Sequence, residues 1–321
     1  MEYLLLLTGF VLLIKGAEWL VTGATAIASR FGVSDLIIGL TIVSMGTSLP
    51  ELIISIIASM SGSSGLATGN VLGSNIANIL LILGVTALIC DLPVHRNTIL
   101  SELPFSLAAA LLIGFLANSS LGYEPEKELI ISRGDGLIVL FFFLLFMIYI
   151  AMIAREDQQK KTDSPATANQ SHTGKSLLFI AAGMGSLFLG GKWVVDGAVY
   201  IAGLYGMSET FIGLTVVALG TSLPELVTSV MAALKRNTDI AVGNAIGSNI
   251  FNLLWILGVS AVIRPLPFNV ASNVDILVVI ASTCLIFLAL IIGRRMVIKR
   301  VEGIVFLLSY LGYLAFVVVR G

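Results

Sequence analysis

Two glutamates stand where charge is costly. Glu51 lies in the run Gly46-Thr47-Ser48-Leu49-Pro50-Glu51-Leu52, and Glu225 in its copy, Gly220-Thr221-Ser222-Leu223-Pro224-Glu225-Leu226. Both runs sit inside apolar stretches long enough to cross a bilayer core, where a carboxylate marks function by default. The plain alternative is pairing with a buried base. Only Lys15 and Lys192 lie within such stretches, and Glu18 and Asp196 are near enough to pair with them. That leaves Glu51 and Glu225 for another task, the binding of a cation. Pro50 and Pro224 immediately precede them. A proline inside a helix lacks the N–H and clashes with the carbonyl four residues back, which frees the Gly46 and Gly220 carbonyls and loosens those of Thr47 and Thr221. Free backbone at membrane depth is tolerated only where it lines a cavity.

A second set of oxygens follows. Ser74 and Asn78 are four residues apart and share one helix face, as do Ser248 and Asn252. A single such pair would suit ordinary hydrogen bonding between membrane helices. Its repetition beside two glutamate-bearing broken helices points to ligands. Carboxylate, carboxamide, hydroxyl and carbonyl are all hard oxygen donors, which suit Ca²⁺ and, by the same hardness, Na⁺. With no Cys or His nearby, soft transition metals are excluded. Two carboxylates sum to −2, which one Ca²⁺, two Na⁺ or two H⁺ neutralise. A site neutral with either load, and costly to move empty, couples two fluxes: the logic of an antiporter. A third Na⁺ would make the cycle electrogenic, at about 2.3 kcal/mol per net charge per 100 mV.

The elements that must hold these residues are legible in the composition. The chain has 321 residues, 57% hydrophobic and only 12% charged, with 18 Lys and Arg against 19 Asp and Glu and a net charge of −1. A soluble domain is about one quarter charged, so a soluble enzyme is excluded. Apolar runs of about 20 residues recur without alternation, giving an all-α integral membrane protein and excluding a barrel. Near-neutral charge excludes nucleic acid as a partner. Cys90 and Cys284 fall in apolar runs and read as buried small residues; His95 and His172 read as solvated loop residues. Gly174-Lys175-Ser176 is no phosphate loop, because Asn169 stands where the first glycine belongs, so no nucleotide is expected. The start, Met1-Glu2-Tyr3 and then leucines, reads as the opening of the first span and not as a signal peptide.

Ten spans are expected, at 3–28, 34–60, 66–90, 99–117, 135–154, 176–202, 208–234, 240–263, 273–293 and 302–319. The polar stretch 155–175 between the fifth and sixth is a linker. With that linker in the cytoplasm, twelve basic residues, Arg30, Arg96, Arg155 and Arg294 among them, fall inside; four, Lys127, Arg133, Arg264 and Arg320, fall outside. The positive-inside rule supports this orientation, with both termini outside. An offset of 174 then relates the two halves. It matches Trp19 to Trp193, Gly23 to Gly197, Ile38-Gly39-Leu40-Thr41 to Ile212-Gly213-Leu214-Thr215, Gly69-Asn70 to Gly243-Asn244, Gly73-Ser74-Asn75-Ile76 to Gly247-Ser248-Asn249-Ile250, and Gly84 to Gly258. The repeats are thus 1–154 and 176–321. Five spans each is an odd number, so the second copy is inverted, an architecture that places a site near the midplane at the repeat interface. Gly69, Gly73, Gly84, Gly243, Gly247 and Gly258 read as helix-packing positions.

At these two motifs the chain resembles the cation/Ca²⁺ antiporter superfamily, most of all the prokaryotic sodium/calcium exchangers, over essentially its whole length. The resemblance implies Na⁺-driven Ca²⁺ transport across the cytoplasmic membrane by alternating access, with the first and sixth spans sliding as a pair across the other eight. It implies Glu51 and Glu225 on Ca²⁺, with Thr47 and Thr221 adding carbonyl oxygens. Ser48, Ser74, Ser222 and Ser248 would serve flanking Na⁺ sites with backbone oxygens of Ser44 and Ala218, and Asn78 and Asn252 would line the middle. Well-known archaeal members carry Asp where this chain has Asn252, which bears on stoichiometry. The short linker lacks the Ca²⁺-sensing domains of animal exchangers. Ca²⁺ and Na⁺ are expected as substrates, with no cofactor, in a chain that works singly. An H⁺/Ca²⁺ or K⁺-assisted antiporter would use the same oxygens. A channel would place one filter on an axis between subunits, and an enzyme would need a nucleophile–base pair or a metal cluster; neither pattern is present.

Overall fold

The computed structural model describes residues 2–61, 64–119, 129–162, 173–205, 218–292 and 296–320. In chain order its helices are α1 (Tyr3–Phe31), α2 (Asp35–Thr47), α3 (Leu49–Ser61), α4 (Ala67–Ile89), α5 (Arg96–Asn118), α6 (Arg133–Gln159), α7 (Thr173–Ile201), α8 (Ala218–Thr221), α9 (Leu223–Leu234), α10 (Thr238–Ile263), α11 (Ser272–Ile291) and α12 (Arg300–Arg320). Eight of them are long and apolar enough to cross a membrane. The pair α2 and α3 passes the same test of length and composition when taken together across a bend of 47°. The expected span 208–234 falls partly outside the described residues; its described part is α8 and the short apolar α9. Large side chains such as Phe115, Phe141, Leu144 and Leu308 remain exposed, as a lipid-facing surface requires.

Two helices occupy the centre. The spans of α4 and α10 are 72% and 78% buried, against 17% for α6. Each is interrupted at the same register by a π-helical stretch, Ala77–Leu83 in α4 and Phe251–Ile256 in α10. A π turn inserts a residue into the ladder and re-aims the side chains around it, which is why such turns concentrate at functional positions. Asn78 and Asn252 are the second residues of these two stretches. A third π stretch, Gly39–Val43, lies within α2.

The helices α1 and α7 lie against each other along most of their length. They run antiparallel, with glycines seven residues apart at the contact. A methyl group on Gly16 would come within 3.0 Å of the Gly183 carbonyl oxygen, and one on Gly190 within 2.8 Å of the Gly9 oxygen. Backbones this close exclude any larger residue, the membrane counterpart of small-residue packing. Among the expected packing glycines, Gly84, Gly243, Gly247 and Gly258 would each meet a neighbouring helix within 3.0 Å, whereas Gly69 and Gly73 face open space among the described residues. At offset 174 the neighbours of Gly243, Leu36 to Leu40, become 210–214, which lie outside the described residues.

Short antiparallel strands close the ends: Leu92–Pro93 pairs with Val297–Ile298, and Ile130–Ile131 with Leu266–Pro267. Three expectations need correction. The helix that includes α6 continues to Thr162, so the polar segment begins as helix; Gln, Glu and Lys are good helix formers. His95 is not simply solvated: its Nε2 lies 3.1 and 3.2 Å from the two oxygens of Asp239. The cysteines are free and only partly buried, Cys90 because it ends a helix.

Candidate functional site

Both glutamates follow a break. On the first, α2 stops at Thr47, Ser48 turns with φ −83° and ψ 7°, and α3 starts at Leu49. On the second, Ser222 turns with φ −86° and ψ 3° between α8 and α9. Pro50 and Pro224 thus occupy the first turn of a new helix, where a missing N–H costs nothing. This places Glu51 and Glu225 one turn into α3 and α9, at 0% and 1% exposure. The face of α7 covers both breaks, with Met184 against Gly46 and Val195 against Gly220.

Around them stands a set of buried hydroxyls and amides: Ser44, Thr47, Ser48, Ser74, Asn78, Thr221, Ser222, Ser248 and Asn252 are all at most 6% exposed. Ala218 opens α8. All of these residues except Ala218, whose side chain is outside the described set, are buried, and Ser48 and Thr47 are linked to Glu225 directly or through Asn244. Ser48 Oγ donates to Glu225 Oε1 across the repeat interface at 2.9 Å. The Glu51 carboxylate lies within electrostatic reach of Glu225. Neither Glu51 oxygen has a hydrogen-bond partner in the described structure, nor do Glu225 Oε2, the Ser74, Ser222 and Ser248 hydroxyls, the Asn78 oxygen or either amide atom of Asn252. Buried polar groups are normally satisfied. Buried oxygens without partners, on the same helices as two buried carboxylates or packed beside them, are what a cation site requires, because a buried charge without a partner is prohibitively costly. Ion pairs among the described residues include Lys15 with Glu18 at 2.9 Å, His95 with Asp239, and Arg320 with Asp275 at 3.0 Å, none of which involves Glu51 or Glu225. Lys192 and Asp196, expected to pair, are both exposed and form no ion pair among these. They line a cleft of about 380 Å³ that reaches Pro50, Gly220, Thr221 and Pro224 from the α7 side.

Several polar residues of the cluster were not singled out as ligands by sequence reasoning. Asn244 accepts from Thr47 Oγ1 at 3.1 Å and donates to Ser229 Oγ at 3.0 Å and to the Glu225 carbonyl at 3.3 Å. Asn70 accepts from Thr221 Oγ1 at 3.3 Å and lies 3.4 Å from Ser55 Oγ. Asn78 donates to Asn249 Oδ1 at 3.0 Å. The signal was available: Asn70 and Asn244, and Ser55 and Ser229, are related by the same offset of 174. Groups of three or more His, Cys, Asp or Glu that could hold a metal are absent among the described residues, so any cation here rests on two carboxylates and neutral oxygens.

A helical membrane bundle with paired carboxylates and unpartnered oxygens at its centre is a membrane cation transporter in class. Comparison with known proteins makes this specific. The family model "Sodium/calcium exchanger protein" matches residues 1–152 and 175–319, and the chain belongs to that family. It is 41% identical to "Putative antiporter CaxA" of Alkalimonas amylolytica, over 96% of this chain and 95% of that protein. It is 34% identical to "Sodium/calcium exchanger MaX1" of Methanosarcina acetivorans, over 98% and 97%. A solved structure of the sodium-calcium exchanger NCX_Mj superposes with a TM-score of 0.79 at 34% identity, covering 98% of this chain and 97% of that one. The protein is therefore a multi-pass membrane cation exchanger and not an enzyme; in this family the ions are substrates and no cofactor is needed.

Proposed function

We propose that the chain is an antiporter that exchanges Na⁺ for Ca²⁺ across the cytoplasmic membrane by alternating access. The observation that carries this reading is the pair Glu51 and Glu225, fully buried, close to one another, and paired with no base among the described residues. Two ionised carboxylates in a low-dielectric interior repel, so they persist as anions only with cations beside them. One Ca²⁺ or two Na⁺ cancels their charge. Ca²⁺ takes the two carboxylates with the Thr47 and Thr221 carbonyls. Na⁺ takes the flanking oxygens of Ser48, Ser74, Ser222 and Ser248, with backbone oxygens from Ser44 and Ala218, and Asn78 and Asn252 line the middle. The names of the relatives MaX1 and NCX_Mj, both sodium/calcium exchangers, support Na⁺ as the counter-ion.

The architecture in this reading is ten spans in two inverted repeats, 1–154 and 176–321, joined by the cytoplasmic segment 155–175 with both termini outside. The equivalent breaks at Ser48 and Ser222 and the equivalent π stretches of α4 and α10 support the repeat. The glycine seam supports α1 and α7 moving as one body, and a single chain contains the whole site. The test is Ca²⁺ uptake into proteoliposomes under an imposed gradient. Uptake that follows an outward Na⁺ gradient, and disappears in Glu51→Gln and in Glu225→Gln, is expected. Uptake that ignores Na⁺ and follows a pH gradient would replace Na⁺ by H⁺, and uptake requiring K⁺ beside Na⁺ would make K⁺ a co-substrate.

A further inference from the structure

We infer that Asn70 and Asn244 are positioning residues of the cation site: each amide ties the broken helix of one half to the broken helix of the other and so sets where Thr47 and Thr221 present their backbone oxygens. The inference rests on the proposed ligand role of those oxygens. Asn244 is fully buried on α10, beside α2 and α9. Its oxygen takes the Thr47 hydroxyl, while its nitrogen holds Ser229 and the Glu225 carbonyl on α9. Asn70, on α4, takes the Thr221 hydroxyl of α8 and reaches back to Ser55 on α3.

The three side chains of the first tie have their counterparts in the second at offset 174: Thr47 with Thr221, Asn244 with Asn70, Ser229 with Ser55; the bond to the Glu225 carbonyl belongs to the first tie alone. Accidental packing would not return the same three-residue chain twice, in opposite directions across one interface. The chemistry is also selective. A carboxamide accepts through its oxygen and donates through its nitrogen, so it can bridge a hydroxyl donor to a carbonyl or hydroxyl acceptor; an ionised Asp accepts only. The Thr47 hydroxyl has Asn244 Oδ1 at 3.1 Å and the Ser44 carbonyl at 3.2 Å as acceptors for its one proton, and the Thr221 hydroxyl has Asn70 Oδ1 at 3.3 Å; both hydroxyls are thus engaged by protein, which leaves the threonine carbonyls as the groups available to an ion. Asn244 therefore acts on the ion through Thr47 and does not touch it. A loose tie would widen the cage, and a small error in ligand placement weakens a binding site steeply.

The test is a mutant cycle on Ca²⁺ uptake driven by a Na⁺ gradient in proteoliposomes. Thr47→Val keeps the backbone carbonyl and removes only the hydroxyl; Asn244→Ala removes the amide. Each is expected to raise the KM for Ca²⁺ about three- to tenfold, the equivalent of one hydrogen bond, with maximal rate changed less than about twofold. The double variant is expected to be no worse than the weaker-binding single variant, because both remove the same tie. Asn244→Asp is expected to raise KM at least as far as Asn244→Ala. Thr221→Val and Asn70→Ala should repeat the pattern more weakly, in line with the longer distances. A scaffold role alone would lower protein yield or maximal rate at unchanged KM, and independent action would make the two effects multiply; either result overturns the inference. Where Asn244→Ala does not fold, Ser229→Ala removes only the far anchor and is expected to raise KM in the same direction, and an unchanged KM there overturns the inference too. Wild-type protein that moves no Ca²⁺ would instead overturn the proposed function.

Discussion

Along the seam between α1 and α7 the duplicated halves meet reciprocally: Gly9 and Gly16 of α1 face Gly190 and Gly183 of α7, and each of these glycines is matched to another at offset 174. In the polar cluster around the two glutamates, residues equally well matched do not behave alike. Ser48 donates to Glu225 at 2.9 Å, while Ser222, its equivalent, has no partner and Glu51 accepts no hydrogen bond. Asn78 donates to Asn249 at 3.0 Å, while both amide atoms of Asn252 are unpartnered. The seam is symmetric and the polar cluster is not, although the same offset of 174 relates the residues of both. The proposed inverted repeats would account for the difference. In such transporters the two faces of the membrane are served by exchanging the conformations of the two halves. On the proposed mechanism, a body that moves as a unit can stay symmetric, whereas the site around which it would move is symmetric only on average over the cycle.

The strongest way to break this comparison is at the glutamates. If both halves contribute equally to one site, Glu51→Gln and Glu225→Gln each reduce Ca²⁺ exchange by at least about a hundredfold, the scale set by losing a charged ligand in a buried site, as measured by isotope flux. A large effect at Glu225 with a small one at Glu51 would make the asymmetry permanent. At the seam, Leu at Gly16 or at Gly190 must push two backbones apart. Overpacking costs about 1–3 kcal/mol, so both variants are expected to lower the melting temperature in detergent by about 5 °C or more, and to similar extents. Unequal losses would show that the seam is less symmetric than its contacts.

The two serines sharpen the comparison further. Ser48→Ala removes a hydrogen bond to a carboxylate, worth about tenfold in apparent Ca²⁺ affinity. That loss is expected mainly at one membrane face. Ser222→Ala should show its loss mainly at the opposite face, read by sided flux assays in oriented vesicles. The smallest effect is in stability. In ion-free detergent, Asn78→Ala gives up a buried hydrogen bond of about 1 kcal/mol and loses about 2–4 °C, while Asn252→Ala loses less than half as much.

Much of this was legible in the sequence because its signals are local or exactly periodic in register. Pro50 and Pro224 announced the breaks, scarce charge announced the membrane, and the offset of 174 paired Glu51 with Glu225 and Asn78 with Asn252. What escaped depends on contacts between the halves. Nothing in the neighbourhood of Asn244 says that its amide reaches Thr47, 197 positions away. The bond between His95 and Asp239 spans 144 positions, which is why His95 read as solvated. The glycines at 9, 16, 183 and 190 look like ordinary span residues until α1 and α7 are laid side by side. The preference of Ser48 for Glu225 over the mirrored pairing is a property of one conformation, which a symmetric sequence cannot encode.

The central claim is that two carboxylates, one from each half, hold a single Ca²⁺ between them. Equilibrium binding of radioactive Ca²⁺ to the purified protein in Na⁺-free detergent tests it most directly. The account predicts one Ca²⁺ per wild-type chain and its loss in both Glu51→Gln and Glu225→Gln. Two independent Ca²⁺ per chain, or one Ca²⁺ retained in either variant at wild-type affinity, would contradict it.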